Sequence, residues 1–439
     1  MSGPVIGINV LNVLMLAVDS ALCGRLPNSE VALEAMGFAI QVVFLLMVLM
    51  LGLMVGTVAL VARAYGGKAI DRVNELLIQS TQLTVLVGLV VGILGALLAR
   101  PILLGLGASE AVVDTGVAYL RPLMIGTPFV YLGLLYAGVL RGVGNTRIPF
   151  LCAIGANIVN AGLNYTLVLG NFGAPSLGVT GSAIGTICAQ ALNVLALVIV
   201  LRRGVIPDLR LPLKPRKIDR KLALELYRVG WPAAVDMLVL NAGFMTALGM
   251  LGRIDGRTVA AHGLGLRVQA LAFVPGLGIA QATGAMVGQA LGAKDVERAK
   301  QITRASIMLC CAVMWTLAVI IVLTAYPLVG IFDVAPGSAL EGYAVEWMRL
   351  LGLAMLPAAI NIALIGMLQG SGATRTSLRI NIWTTLAIQV PLSWLFAFPL
   401  GMEEFGVWLA FPVAFVAKAL GTYLVFRSGN WAVTGVRVR

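Results

Sequence analysis

Apolar stretches of about twenty residues recur along the whole chain, separated by short turns carrying Gly, Pro and Asn. Twenty residues is the length a helix needs to cross roughly 30 Å of hydrocarbon. Twelve such spans fit, at about 4–24, 35–62, 76–98, 115–140, 148–170, 178–201, 230–251, 259–290, 303–325, 345–368, 380–400 and 407–426. The segments are apolar on all sides, which excludes an outer-membrane barrel, whose strands alternate in polarity over about ten residues. No basic leader or small-residue cleavage site precedes the first span, which is therefore expected to be a membrane helix and not a cleaved signal. One connection, from Arg202 to Gly230, is long and polar. The expected division is an N-terminal six-helix lobe over 1–201, a basic linker over 202–229 and a C-terminal six-helix lobe over 230–439.

The two halves repeat each other. "LRGVGNTRIPF" at Leu140–Phe150 returns 228 residues later as "LQGSGATRTSL" at Leu368–Leu378. "VARAYGGKAIDR" from Val61 returns as "VGQALGAKDVER" from Val287, "CGRL" at Cys23 as "LGRI" at Leu251, and "YLR" at Tyr119 as "WMR" at Trp347. Six is an even number, so both copies enter the membrane from the same side. The fold class that follows is an all-α integral membrane protein, twelve transmembrane helices in two lobes related by a pseudo-two-fold axis along the membrane normal. Such lobes leave a cleft that rocking exposes to each side in turn. In the repeated turn the glycines permit a tight connection, and Thr146 and Thr374 are expected to cap the helices that follow.

Composition agrees: 59% of the 439 residues are hydrophobic and 11% charged. The formal charge of +12 would suit a nucleic-acid partner, but its placement argues otherwise. Of the 31 Lys and Arg, 23 fall on the side shared by both termini and the loops after even-numbered spans, and six on the other. By the positive-inside rule both termini lie in the cytoplasm, and the charge reports topology. The five cysteines, Cys23, Cys152, Cys188, Cys310 and Cys311, lie in or beside apolar segments without metal-ligand spacing and read as small hydrophobes. The one histidine, His262, lies in "AAHGLG" and reads as a packing residue.

At this point the chain resembles the multidrug and toxic compound extrusion (MATE) transporters of bacterial type, over essentially its whole length. The resemblance is carried by "VDSALCGRL" at Val18–Leu26, "RGVGNTRIP" at Arg141–Pro149, "LNYTLVLGNFGAPSLGVTGSAIGT" at Leu163–Thr186 and "GRIDGRTVAAHGLG" at Gly252–Gly265. It implies a secondary antiporter that exports amphipathic, often cationic organic compounds in exchange for protons or sodium ions. Spacing and composition alone imply only a two-lobed transporter.

An antiporter needs a titratable or cation-binding group, and of 19 Asp and Glu all but two fall in loops or at helix ends. The two within spans are Asp19 and Asp236, and a carboxylate in hydrocarbon requires a partner, a cavity or a function. Asn12 lies seven residues before Asp19 on the same helical face, and Asn157, Asn160 and Asn164 form a polar stripe on the fifth span. Together they can build a hydrogen-bonded pocket in the first lobe where protonation and cation release are linked. The resemblance bears on these residues. Asp19 matches the first-span aspartate of the family's "VD" motif, and Asn160 matches an asparagine that supports it. Asn164 stands where the DinF-like branch usually has a second aspartate, leaving Asp19 as the one titrating acid of that lobe.

Asp236 is the second-lobe candidate. Sodium-using relatives carry acids near Leu240 and Ala358, neither of which is acidic here. Asp236 lies one turn before Leu240 and either substitutes for them or forms a structural ion pair with Arg267 or Lys418, the two basic residues within spans. Asp19 and Asp236 are not repeat equivalents, so the lobes are expected to share a fold but not a function. Gln41, Gln190, Gln269, Gln281 and Asn361 either line the cleft or join helices. Met47, Met50 and Met54, spaced three and four apart, suit either a promiscuous apolar pocket or plain helix packing.

Other classes fare worse. "AYGGKA" around Lys68 lacks the glycine spacing and the Ser or Thr of a phosphate-cradling loop. One histidine and two separated acids supply no zinc triad, activated nucleophile or carboxylate pair, so no enzyme is expected. A flippase for lipid-linked sugars would want several basic residues in its cleft. No repeated selectivity-filter loop suggests a channel. The expected protein is a proton-coupled exporter of organic cations, without a cofactor or metal, monomeric in the lipids of a bacterial inner membrane. Sodium coupling and lipid flipping are the alternatives.

Overall fold

The structure, a computed structural model, describes residues 1–205, 209–211 and 217–434. Lys214, Arg216, Arg437 and Arg439, counted above among the basic residues, and Asp208 among the acids, lie outside the described residues. Within them the chain is helical, with no strand.

Twelve spans cross. They are α1 (Ser2–Cys23), α2 (Ser29–Gly66), α3 (Ile70–Leu97), α4 (Glu110–Ile125 and Thr127–Gly142), α5 (Arg147–Leu169) and α6 (Val179–Arg202). Then follow α7 (Arg220–Leu251), α8 (Gly256–Gly292), α9 (Val296–Leu323), α10 (Ala339–Ser371), α11 (Thr374–Ala397) and α12 (Glu403–Ser428). The fourth is one span in two pieces bent by 50°. Pro122 and Pro128 bracket the break and each removes a backbone donor, so the ladder of hydrogen bonds cannot run through. Several helices start on side-chain caps. Asp255 accepts from Arg257 N at 2.9 Å, Asp295 from Arg298 N at 2.9 Å, and Ser338 Oγ from Glu341 N at 3.2 Å.

Two compact units result, Gly3–Gly230 and the chain from Trp231 onward, so the boundary falls inside α7 beside Pro232. The seventh span begins at Arg220, ten residues before the expected start, and its first turns pack on the first unit. A methyl at Gly56 would lie 2.7 Å from Leu226 O, and one at Gly230 2.5 Å from Gly52 O. The Arg72 guanidinium bridges Glu75 and Glu225 at 2.9 and 2.8 Å. Backbones that approach this closely need residues without side chains, since lipid tails are as apolar as Leu and packing must drive association.

The repeated turn divides its labour differently from the expectation. Gly144 and Gly372 hold φ of +94° and +78°, the left-handed values a tight turn requires. The first glycine of each copy lies in the helix and serves packing: Gly142 fits beside Val61 and Val58, and Gly370 lies against the Gly284 backbone. Nor does Thr146 cap its helix through its side chain, and Thr374 lies inside the next helix rather than at its N-cap. Asn145 Oδ1 accepts from Ile148 N at 3.1 Å in the first copy, while α11 already begins at Thr374 in the second.

Candidate functional site

In the first unit α1, α2, α4, α5 and α6 enclose a cavity of about 410 Å³. Its wall is mainly aliphatic and aromatic, with Met15, Met47, Met124, Tyr119 and Tyr131 among the lining residues. Polar groups enter from four helices: Asn12 and Asp19 on α1, Thr127 on α4, Asn157 on α5, and Thr186, Gln190 and Asn193 on α6. Among the described residues Asp19 is the one charged side chain of the lining.

Asp19 lies one turn from the end of α1, 5% exposed, and its partners come from α5 and α6. Asn164 Nδ2 donates to its Oδ1 at 2.5 Å. With the Asn160 amide turned to satisfy both of its ends, Nδ2 donates to the same oxygen at 3.3 Å and Oδ1 accepts from Thr186 Oγ1 and N, each at 3.2 Å. Thr186 Oγ1 also lies 3.5 Å from Asp19 Oδ2. The carboxylate therefore faces two amide nitrogens and a hydroxyl, groups that suit an oxyanion whose remaining face meets a ligand.

The structure thus brings Asp19, Asn160 and Asn164 together and leaves Asn12 and Asn157 in the wall, where Asn157 donates to Ala153 O at 2.7 Å. Met47 lines the cavity, whereas Met50 and Met54 are buried in packing, Met54 beside Gly138 and the Arg141 guanidinium. Gln41 is half-buried outside the lining. Gln269, Gln281 and Asn361 belong to the second unit and none lines this cavity. The polar stripe Thr186, Gln190, Asn193 on α6 was legible as positions four and three apart, yet only Gln190 stood out in the sequence.

Gly185 holds the site's geometry. A methyl there would collide with Asn164 Oδ1, so the α5–α6 approach that presents Asn164 to Asp19 depends on it. Gly185→Ala is expected to retain the helix, for which Ala is the better former, but to draw Asn164 off the carboxylate. Losing a hydrogen bond to a charged group costs about 1.5–3 kcal/mol, so the rate of coupled transport falls about tenfold or more. Transport by protein that still elutes as a single folded species checks it.

In the second unit Asp236 makes neither of the ion pairs that were one of its two readings. Arg267 is exposed and makes no ion pair among the described residues, and Lys418, 2% exposed, lies over the Phe415 ring at 5.4 Å instead of bridging Asp236 within 4.0 Å. The partners of Asp236 are neutral and come from α11: Ser377 Oγ donates at 2.8 Å and Asn381 Nδ2 at 2.5 Å. Each unit therefore carries an Asp on its first helix held by an Asn on its fifth, both pairs separated by 145 residues. The equal spacing was in the sequence. It was hidden because Asp236 falls about three turns nearer the start of its helix than the repeat register places Asp19. His262, fully buried, packs on Trp347 at 4.9 Å and Phe411 at 6.0 Å in an aromatic cluster.

Twelve apolar spans in two units, one enclosing a buried acid in a ligand-sized cavity, define a multi-span membrane transporter. The MatE family profile matches residues 4–166 and 232–395. The chain belongs to that family, the multidrug resistance MATE transporters. It is 26% identical over 96% of its length, and 90% of the relative's, to the probable multidrug resistance protein YoeA of Bacillus subtilis. It is 29% identical to the probable multidrug resistance protein NorM of Bradyrhizobium diazoefficiens, covering 94% of this chain and 89% of that one. The fold is that of an outward-facing multidrug resistance MATE family transporter of the MOP superfamily, at TM-score 0.89 and 22% identity over 98% of this chain and 94% of the other. A MOP superfamily transporter from Pyrococcus furiosus, whose pocket is described as reversed in polarity, superposes at TM-score 0.90 with the same identity and coverage.

Proposed function

We propose that the protein is a proton-coupled antiporter that exports amphipathic organic cations from the cytoplasm of a bacterium. It works by alternating access as a monomer in the inner membrane, both termini cytoplasmic, with lipid as its surroundings, no cofactor, no catalysis and no nucleic-acid partner. One observation carries this reading: among the described residues the cavity of the first unit has an apolar and aromatic wall with a single carboxylate and no basic side chain. A cation with a greasy body meets complementary charge at Asp19 and complementary surface elsewhere. A pyrophosphate head group would meet a carboxylate instead, which disfavours a lipid-linked sugar.

Protons and cargo cannot both neutralise Asp19. Ionised, the carboxylate holds the cation; protonated from the outer side, it releases it. The carboxylate's partners are the N–H groups of Asn164 and Asn160 and the Thr186 hydroxyl, and the proton is taken as the coupling ion. The test is uptake of a fluorescent organic cation by purified protein in liposomes, with an acid lumen or a sodium-loaded lumen. Accumulation with the acid lumen alone is expected. Accumulation driven by sodium alone would replace the coupling ion, and movement of a lipid without cation transport would replace the substrate class.

A further inference from the structure

On the side of the membrane where α10 and α12 begin, the second unit has a cavity of about 290 Å³. It lies between the short helix Ala325–Gly330, the first turns of α10 and the start of α12, and Tyr326, Glu346, Arg349, Leu350, Leu353 and Phe405 are among its lining residues. Glu346, Arg349, Leu350 and Leu353 are spaced three and four apart, so one face of α10 presents an acid, a base and then leucine in order of depth. Arg349 is the last charge on that helix, which carries none from Leu350 to Ser371. Glu346 and Arg349 therefore stand where hydrocarbon gives way to lipid headgroups. Tyr326, 53% exposed, has the amphipathic ring that this depth favours, and Leu353, 71% exposed and one turn deeper, meets acyl chains.

The two charges do not use each other. Three residues apart on a helix, an acid and a base are placed to pair, yet Glu346 makes no hydrogen bond or ion pair among the described residues, and the Arg349 guanidinium lies 5.7 Å from the centre of the Tyr326 ring. A second carboxylate, Glu404 at the start of α12, is within electrostatic reach of Glu346. Its Oε2 is buried with no hydrogen-bond partner among the described residues. Neighbouring carboxylates repel, and a buried acceptor without a donor costs free energy, so this end of the cavity is complementary to a small cation carrying several N–H groups. The Arg349 end is complementary to an anion with paired oxygens. One ligand class carries both charges a short fixed distance apart and adds acyl chains for Leu353: a phospholipid whose phosphate bears a primary ammonium.

We propose that this cavity is a binding site for phosphatidylethanolamine, with the phosphate on Arg349, the ammonium between Glu346 and Glu404, and the acyl chains running past Leu353. A primary ammonium has three N–H groups to give the carboxylates, whereas a choline headgroup has none and a glycerol headgroup has no positive charge. A lipid seated there ties the Ala325–Gly330 helix to α10 and α12, so its binding also stabilises the second unit. None of these residues lines the first unit's cavity, and the inference does not depend on the export reading.

The test counts the lipids that the purified full chain holds. In detergent supplied with one phospholipid at a time, all with the same acyl chains, native mass spectrometry is expected to show phosphatidylethanolamine bound about tenfold more tightly than phosphatidylcholine or phosphatidylglycerol. Equal affinity for the three overturns the proposal. Glu346→Gln is expected to bring phosphatidylethanolamine down to the level of phosphatidylcholine, while Arg349→Gln weakens both about tenfold. Full preference for phosphatidylethanolamine in both variants overturns the placement, and the comparison of lipids on the unaltered protein stands if a variant does not fold. Phosphoethanolamine, the headgroup without chains, is expected not to displace the lipid; its binding as tightly would make the ligand a soluble zwitterion. Displacement of the lipid by a fluorescent organic cation would assign the cavity to cargo and overturn the lipid site.

Discussion

Asp19→Asn abolishes accumulation of an organic cation driven by a proton gradient, while the protein inserts and folds. The asparagine keeps the shape and the contact with Asn164 but carries neither a charge to hold the cation nor a proton to exchange for it. The size of the effect follows from the gradient. One pH unit is worth about 1.4 kcal/mol per proton, which supports about tenfold accumulation of cargo for each proton exchanged. In the variant that ratio falls to one. The sign is set by antiport: cargo gathers on the acidic side, so an acid liposome lumen drives uptake and an alkaline lumen empties it. Full proton-driven accumulation by Asp19→Asn would remove this residue from coupling.

Gly370→Leu is expected to destabilise the second unit's core strongly. Gly284 on α8 and Gly366 and Gly370 on α10 bring the two backbones together, and a side chain at Gly370 meets the Gly284 backbone, which cannot rotate away. Overpacking a close-packed interface costs about 1–3 kcal/mol and more where backbone must move; here the upper end or beyond is expected. Gly263, on the same α8, faces open space, and Gly263→Ala should be neutral or stabilising by up to about 1 kcal/mol. Thermal unfolding in detergent compares the two. Equal melting temperatures would show that the glycine contact does not hold α8 to α10.

Most of the architecture is local in origin and therefore readable. An apolar run of twenty residues must be a helix across the membrane, because no other backbone satisfies its hydrogen bonds there, and the run-and-turn rhythm marks all twelve. The bend in α4 was announced by Pro122 and Pro128 but not its angle, which depends on how the pieces pack. The separate work of the two glycines in each repeated turn was not readable, since conformational freedom and close approach select the same residue. Likewise a methionine every third or fourth residue cannot say which of Met47, Met50 and Met54 meets a cavity, because one helix of α2's length passes several neighbours.

For the sites, sequence singled out Asp19 and Asp236 by elimination, as the acids that no loop could hold, and placed Asn160 and Asn164 on one helical face. What each acid touches was a tertiary decision. Only the packing of α5 and α6 against α1 brings Asn164, Asn160 and Thr186 to Asp19, with Gly185 permitting the approach. Only the placing of α11 against α7 gave Asp236 neutral partners, where the sequence had left a basic partner and a coupling role both open, and only the π-helix over Trp383–Gln389 gathers a four-residue polar spacing of α11 onto one buried side. Hydrophobic periodicity determines which segments cross the membrane because that choice is between each segment and its solvent. Which polar groups meet inside is decided between segments far apart in the chain, by helix rotation and depth that a single span's composition does not contain.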